Sequence, residues 1–174
     1  MKMKKYLLII AAFFTVGMAS AQTPEVTKEA DGTKILKGFM TKQQLAGDTS
    51  FAWYAQNRQG YTPYPAALQS FKTAKDSIYI LAFGGTWCSD TKFLLPKFYA
   101  LAEAAGLAEN RITLLGVDRA KTTVYGLEKA FNVTHVPTFI VLKDGKEIGR
   151  VVEYGKYGMV DKELGEIVSG GAGK

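Results

Sequence analysis

Ser77-Ile78-Tyr79-Ile80-Leu81-Ala82-Phe83-Gly84-Gly85-Thr86-Trp87-Cys88-Ser89-Asp90-Thr91 is the stretch on which the fold turns. Ile78 to Phe83 is one uninterrupted apolar run, partly β-branched and aromatic, the pattern of a strand buried on both faces. Gly84-Gly85-Thr86 ends it. Beyond the turn, Phe93, Leu94, Phe98, Leu101, Ala102 and Ala105 recur at helical spacing and Gly106 closes the series, which predicts a helix with a wide apolar face.

Downstream, Ile112 to Val117 predicts a second buried strand, and Val124 to Phe131 a short helix with Val124, Leu127 and Phe131 on one face. Thr138 to Leu142 reads as a third strand. Asp144-Gly145 is a hairpin signal, and Glu147 to Val152 returns antiparallel. Asp161 is placed to cap a last helix through Val168, and residues 169–174 form a flexible, glycine-rich tail. A parallel β-α-β start joined to an antiparallel hairpin means an α/β fold, a central mixed sheet flanked by helices on both faces.

Upstream, Thr23 to Thr33 is polar and reads as a loose arm. Thr41-Lys42-Gln43-Gln44 matches a capping box, and Asp48-Thr49-Ser50 is a second helix start leading into Phe51-Ala52-Trp53-Tyr54. Pro63 and Pro65, within Tyr61 to Pro65, break that helix. Leu68 and Phe71, three apart, predict one more helix to about Lys75. Residues 22–76 are therefore expected as an N-terminal arm and helical extension packing on a core domain over 77–168.

The first 21 residues read as a leader. Lys2, Lys4 and Lys5 form a basic start, Tyr6 to Val16 is an apolar run too short to span a bilayer, and Ala19-Ser20-Ala21 offers small residues for cleavage. Gln22 follows the cut where a lipoprotein needs cysteine, so the expectation is a periplasmic or otherwise exported protein with no stable membrane anchor. Cleavage lowers the net charge from +6 to +3, because those three lysines are the only charged residues of the leader. The remaining Lys and Arg residues are scattered singly, which argues against a nucleic-acid partner.

The sequence holds one cysteine, Cys88. Exported chains usually hold cysteines in pairs, so a solitary one is either buried and inert or a free thiol. A core cysteine sits inside an apolar run. This one lies in the polar turn Trp87-Cys88-Ser89-Asp90-Thr91, ahead of a helix whose unpaired N–H groups and dipole favour an anion. The thiolate is the nucleophilic form, and the placement predicts a presented, reactive sulfur. No phosphate loop, nucleotide fingerprint or serine triad accompanies it, and no cofactor is called for. Cys88 and His135, the single histidine, make two metal ligands where a stable site needs three or four, so no metal is expected.

The order of these features resembles thioredoxin: a strand, then W-C-x-x-[CT], a helix carrying Pro96, then Val136-Pro137-Thr138-Phe139 before a strand and an Asp-Gly hairpin. The resemblance covers about Ser77 to Val168. With Val117-Asp118-Arg119 and Glu147 to Glu153, the chain is similar to a group of exported bacterial thioredoxin-like proteins whose active-site loop reads W-C-x-D-[ST]. The resemblance implies that Cys88 is the attacking thiol, that Trp87 belongs to the substrate platform, and that Pro96 kinks the long helix. It also implies that Pro137 is a cis proline facing the sulfur and that Val136 offers backbone groups to an extended peptide.

Two departures shape the expected chemistry. Thr91 stands where the family has its resolving cysteine, and Ala82 where it has a buried acid. Cys88 then cannot close an intramolecular disulfide. The expectation is a monothiol thiol–disulfide oxidoreductase or isomerase acting through Cys88 on protein or small-molecule disulfides, with disulfide- or cysteine-containing exported proteins as partners and an external thiol as reductant. The alternative is a redox-silent module that holds extended peptides in the same groove, and a weaker one is a sensor cycling through sulfenic acid. Asp90 either accepts a proton or opposes the thiolate as a like charge. Thr91 is expected to cap the helix in preference to bonding the sulfur, and Arg119 to make a surface ion pair in preference to reaching the thiol.

Overall fold

In a computed structural model, residues 23–170 are described. The expected leader, and residues 171–174 of the expected tail, lie outside them. The apolar run becomes β3, Ile78–Gly84, at the centre of a six-stranded sheet. The other strands are β1 Glu25–Lys28, β2 Lys34–Met40, β4 Ile112–Gly116, β5 Thr138–Lys143 and β6 Lys146–Val152, in the order β1-β2-β4-β3-β5-β6. β3 runs parallel to β4 and antiparallel to β5. Asp144 and Gly145, both at positive φ, form the tight turn that joins β5 to β6.

The helices are α1 Lys42–Gly47, α2 Trp53–Gln56, α3 Pro65–Ala74, α4 Ser89–Ala105, α5 Leu127–Ala130 and α6 Val160–Val168. Alternate side chains of β3 divide them. Ile78, Ile80 and Ala82 face the larger core, which Leu45, Tyr54, Phe71, Phe98 and Leu164 complete from the helical side. Leu81 and Phe83 face a smaller one, with Leu115, Val117, Val136 and Ile140, against which Leu127 and Phe131 pack. The mixed sheet with helices on both faces is the expected architecture.

The N-terminal segment differs from its reading. The expected loose arm is a β-hairpin: β1 pairs antiparallel with β2, and β2 pairs antiparallel with β4. β1 is an exposed edge strand without an inward face, so no alternation marks it. Gly116 is required by the approach of β2, since a Cβ there would lie 2.1 Å from the Leu36 carbonyl oxygen. The capping box at Thr41 forms as expected, with Gln44 N–H donating to Thr41 Oγ1 at 3.2 Å and Gln44 Oε1 accepting the Thr41 N–H at 2.8 Å.

Three smaller expectations are corrected. Val124 to Phe131 is not one helix: Tyr125 and Gly126, at positive φ, interrupt it, leaving an irregular 3-10 turn over Val124–Gly126 and then α5. Asp161 does not cap α6. It lies inside the first turn, buried, and accepts the Tyr64 backbone N–H at 2.6 Å, tying α6 to the start of α3. Phe93, expected on the apolar face of α4, is 39% exposed.

Candidate active site

The turn from β3 into α4 is built on two glycines. A Cβ on Gly84 would lie 2.9 Å from the Thr91 methyl, and one on Gly85 2.7 Å from the Trp87 ring. Their absence lets both side chains fold over the strand end. Cys88 N–H donates to the Gly85 carbonyl at 2.9 Å, which closes the turn and makes Cys88 the N-cap residue of α4. The cap is Cys88 and not Thr91. The fully buried Thr91 hydroxyl instead accepts the Gly85 N–H at 3.2 Å, tying the first turn of α4 to the strand end.

Cys88 is half-buried. Its Sγ lies 3.3 Å from the carbonyl oxygen of Val136, on the loop that enters β5. The Val136–Pro137 peptide is cis, and both residues are buried. Two hydrogen bonds hold this ledge. Glu153 N–H donates to the Pro137 carbonyl at 2.7 Å, and Thr138 Oγ1 donates to the His135 carbonyl at 2.7 Å.

Trp87 forms the other rim, its indole N–H donating to the Val117 carbonyl at 3.0 Å. Arg119 makes the expected ion pair, with Glu29, and also places its guanidinium 5.4 Å from the Trp87 ring centre. Ser89 is exposed and donates to Asp90 Oδ1 at 3.3 Å. His135 is exposed and shares a hydrogen bond with the Thr134 hydroxyl at 2.9 Å. The site thus brings together Trp87, Cys88, Val136 and Pro137, and leaves His135 to its neighbour.

Tyr154, just past β6, is a site residue that no sequence signal marked. Burial raises its phenol above the ordinary tyrosine value, and Asp90, by its charge and a hydrogen bond, and the nearby Cys88 push the same way. Its ring meets Phe93 at 6.2 Å, and Lys97 sits 3.2 Å over the Phe93 ring. An exposed aromatic edge therefore borders the thiol on the α4 side. The signal was lost because Tyr154 lies 66 positions from Cys88, in a loop with no periodicity. Chemically, the site offers one accessible sulfur nucleophile at a helix start, with a backbone carbonyl ledge opposite.

A family model described as Thioredoxin matches residues 64–163. The chain is 34% identical over 86 residues to a thioredoxin of Chlamydia muridarum, an alignment that covers 49% of this chain and 74% of that one. It is 31% identical over 84 residues to thioredoxin H2 of Arabidopsis thaliana, covering 47% of this chain but only 59% of the relative's length. Among solved structures, a Pseudomonas aeruginosa protein of unknown function superposes with a TM-score of 0.56 at 17% identity, covering 78% of this chain and 94% of that one. That last likeness bears on the fold alone.

Proposed function

This chain belongs to the thioredoxin family, and from that premise we propose that it is an exported monothiol thiol–disulfide oxidoreductase or isomerase acting through Cys88. Redox exchange with disulfide-containing proteins is the family's ordinary work. The finer reading is supported by one observation: the half-buried Cys88 sulfur stands 3.3 Å from the Val136 carbonyl while the Thr91 position holds a hydroxyl already committed to Gly85.

The exchange proceeds in two stages. The Cys88 thiolate attacks one sulfur of a substrate disulfide, the substrate S–S bond breaks, and its other sulfur leaves as a thiolate. Cys88 then holds a mixed disulfide. With no second thiol at position 91, an external thiol or the substrate's own second cysteine attacks that bond. For net reduction an external thiol attacks the Cys88 sulfur and frees the substrate's second thiolate. A second external thiol then releases Cys88, so two thiols become one disulfide in place of the substrate's. Attack by a substrate cysteine returns Cys88 as thiolate and gives isomerisation. Trp87 and the Val136–Pro137 ledge hold the peptide meanwhile.

The test is mass spectrometry of the folded protein after mixing with a disulfide-linked peptide. Wild type is expected to gain the mass of one peptide half, reversibly with added thiol, and Cys88→Ser to gain none. Equal peptide binding by both proteins, with no adduct on either, overturns the enzymatic reading in favour of a peptide-holding module.

A further inference from the structure

The matched family region begins at residue 64, so the β1–β2 hairpin precedes it. Yet this hairpin touches Thr86, two residues before Cys88, directly, and reaches Trp87, its immediate neighbour, through Arg119. The buried Thr86 hydroxyl donates to the Lys34 carbonyl at 2.8 Å and accepts the Leu36 N–H at 3.2 Å, so β2 grips the loop from one side. From the hairpin's turn, Glu29 takes Arg119 in a two-pronged pair, with Nε to Oε1 and Nη2 to Oε2 both at 2.6 Å. That geometry is the most directional ion pair available to side chains. The same guanidinium lies over the Trp87 ring at 5.4 Å, while the indole N–H is pinned to Val117.

Glu29 is itself well fixed. Its N–H donates to the Thr33 carbonyl at 2.9 Å, and its carbonyl accepts the Gly32 N–H at 3.0 Å, so the backbone that carries the carboxylate is held in the turn. Asp31 lies close enough to Arg119 for their charges to act on each other. Most of the positive charge over Trp87 is thereby answered from the hairpin. Arg119 is thus paired with Glu29 while it lies over the ring.

We propose that Glu29 is a positioning residue for the Cys88 reaction: through Arg119 it fixes the Trp87 platform, making the N-terminal hairpin part of the rim that receives a peptide. The inference rests on the proposed exchange of peptide disulfides at Cys88. Trp87 braced by Arg119 keeps a preformed surface for the peptide, and release of Arg119 leaves the ring held at its N–H alone, able to tilt about that bond. Peptide capture then weakens while the sulfur's intrinsic reactivity stays the same.

The experiment compares wild type, Glu29→Gln, Arg119→Gln and the double variant. Two disulfides serve as probes: a nitrothiobenzoate mixed disulfide of a cysteine-containing decapeptide, and the small reagent dithiobis-nitrobenzoate. Glu29→Gln is expected to raise the half-saturating peptide concentration about three- to fivefold at an unchanged maximal rate, the size that an exposed bidentate pair and a cation–π contact support. The rate with the small reagent stays at the wild-type level. Because Glu29 acts through Arg119, the double variant is no worse than the worse single one. Acrylamide quenching of Trp87, read in a Trp53→Phe background, rises in the same variants. Unchanged peptide saturation in Glu29→Gln, or effects of the two substitutions that multiply, overturns the proposal. Should wild-type Cys88 react with neither disulfide, the exchange reading fails, and the quenching decides the clamp alone: Trp87 equally accessible with and without Glu29 rejects it.

Discussion

The sulfur of Cys88 and the carbonyl oxygen of Val136 face each other at 3.3 Å, with the thiol as donor. In the proposed exchange, an extended peptide's backbone N–H would compete with the Cys88 thiol for this oxygen. A hydroxyl at position 88 keeps a donor for Val136. Cys88→Ser is therefore expected to stay within about 1 kcal/mol of wild type in urea unfolding, the net worth of one such bond. It loses all mixed-disulfide formation. A Ser variant that fails to fold would make the contact structural first and chemical second.

Thr91 gives a second handle on the same loop. Its fully buried hydroxyl is the acceptor for Gly85 N–H, the first backbone donor after β3. Thr91→Val keeps the shape and strands that donor, so it should cost about 1–3 kcal/mol in denaturant midpoint at unchanged m-value. Thr91→Cys instead places a thiol one helical turn from Cys88. It is expected to form an intramolecular disulfide on mild oxidation, visible as loss of free thiol without dimer, and to release a bound substrate half by internal attack, with no external thiol in that step. Absence of that disulfide in the folded variant contradicts the assigned geometry.

The central strand, the long helix and the closing hairpin were legible because each carries its own local signal: the apolar run of β3, the 3.6-residue repeat ending at Gly106, and the Asp144-Gly145 turn. Cys88, Trp87, Val136 and Pro137 could be placed because short motifs hold them at the ends of those elements. What escaped depends on distant partners. β1 has four exposed residues and exists by pairing with β2, so its sequence resembles a loop. Asp161 looks like a cap, but its carboxylate answers a backbone N–H at Tyr64, 97 positions away. Glu29 and Arg119 stand 90 positions apart. No local pattern encodes such pairs.

The packing of α3 on α6 supplies a stability test remote from the thiol. A Cβ on Gly165 would fall 2.5 Å from the Ala67 Cα and 2.6 Å from its Cβ, contacts that no side-chain rotation relieves. Helix propensity alone favours alanine over glycine by about 1 kcal/mol. The clash outweighs it, so Gly165→Ala is expected to lower stability by about 1–3 kcal/mol, as overpacked interiors do. Thermal melting decides the sign. A stabilised Gly165→Ala protein would mean that α3 stands off from α6.

Acid should loosen the same extension from its other end. Glu103 on α4 is held by Arg58 at two nitrogens and by Lys42 at 2.9 Å, so it links α4 to α1 and to the loop after α2. The Arg58 hydrogen bond, reinforced by Lys42 and opposed by burial, takes its carboxyl from 4.5 down to about 2. A carboxylate depressed in the folded state binds fewer protons there than in the unfolded chain, so its contribution is complete above 4.5 and is lost as pH falls through about 2. The melting temperature should therefore drop between those limits. Glu103→Gln should flatten that drop and lower the melting temperature near neutrality, where the charged pair is intact in wild type. The pair is partly exposed, so salt should shrink the difference between the two proteins. Identical pH profiles for wild type and Glu103→Gln would place the acid sensitivity in other carboxylates, with Asp118, also brought down to about 2, the next to replace.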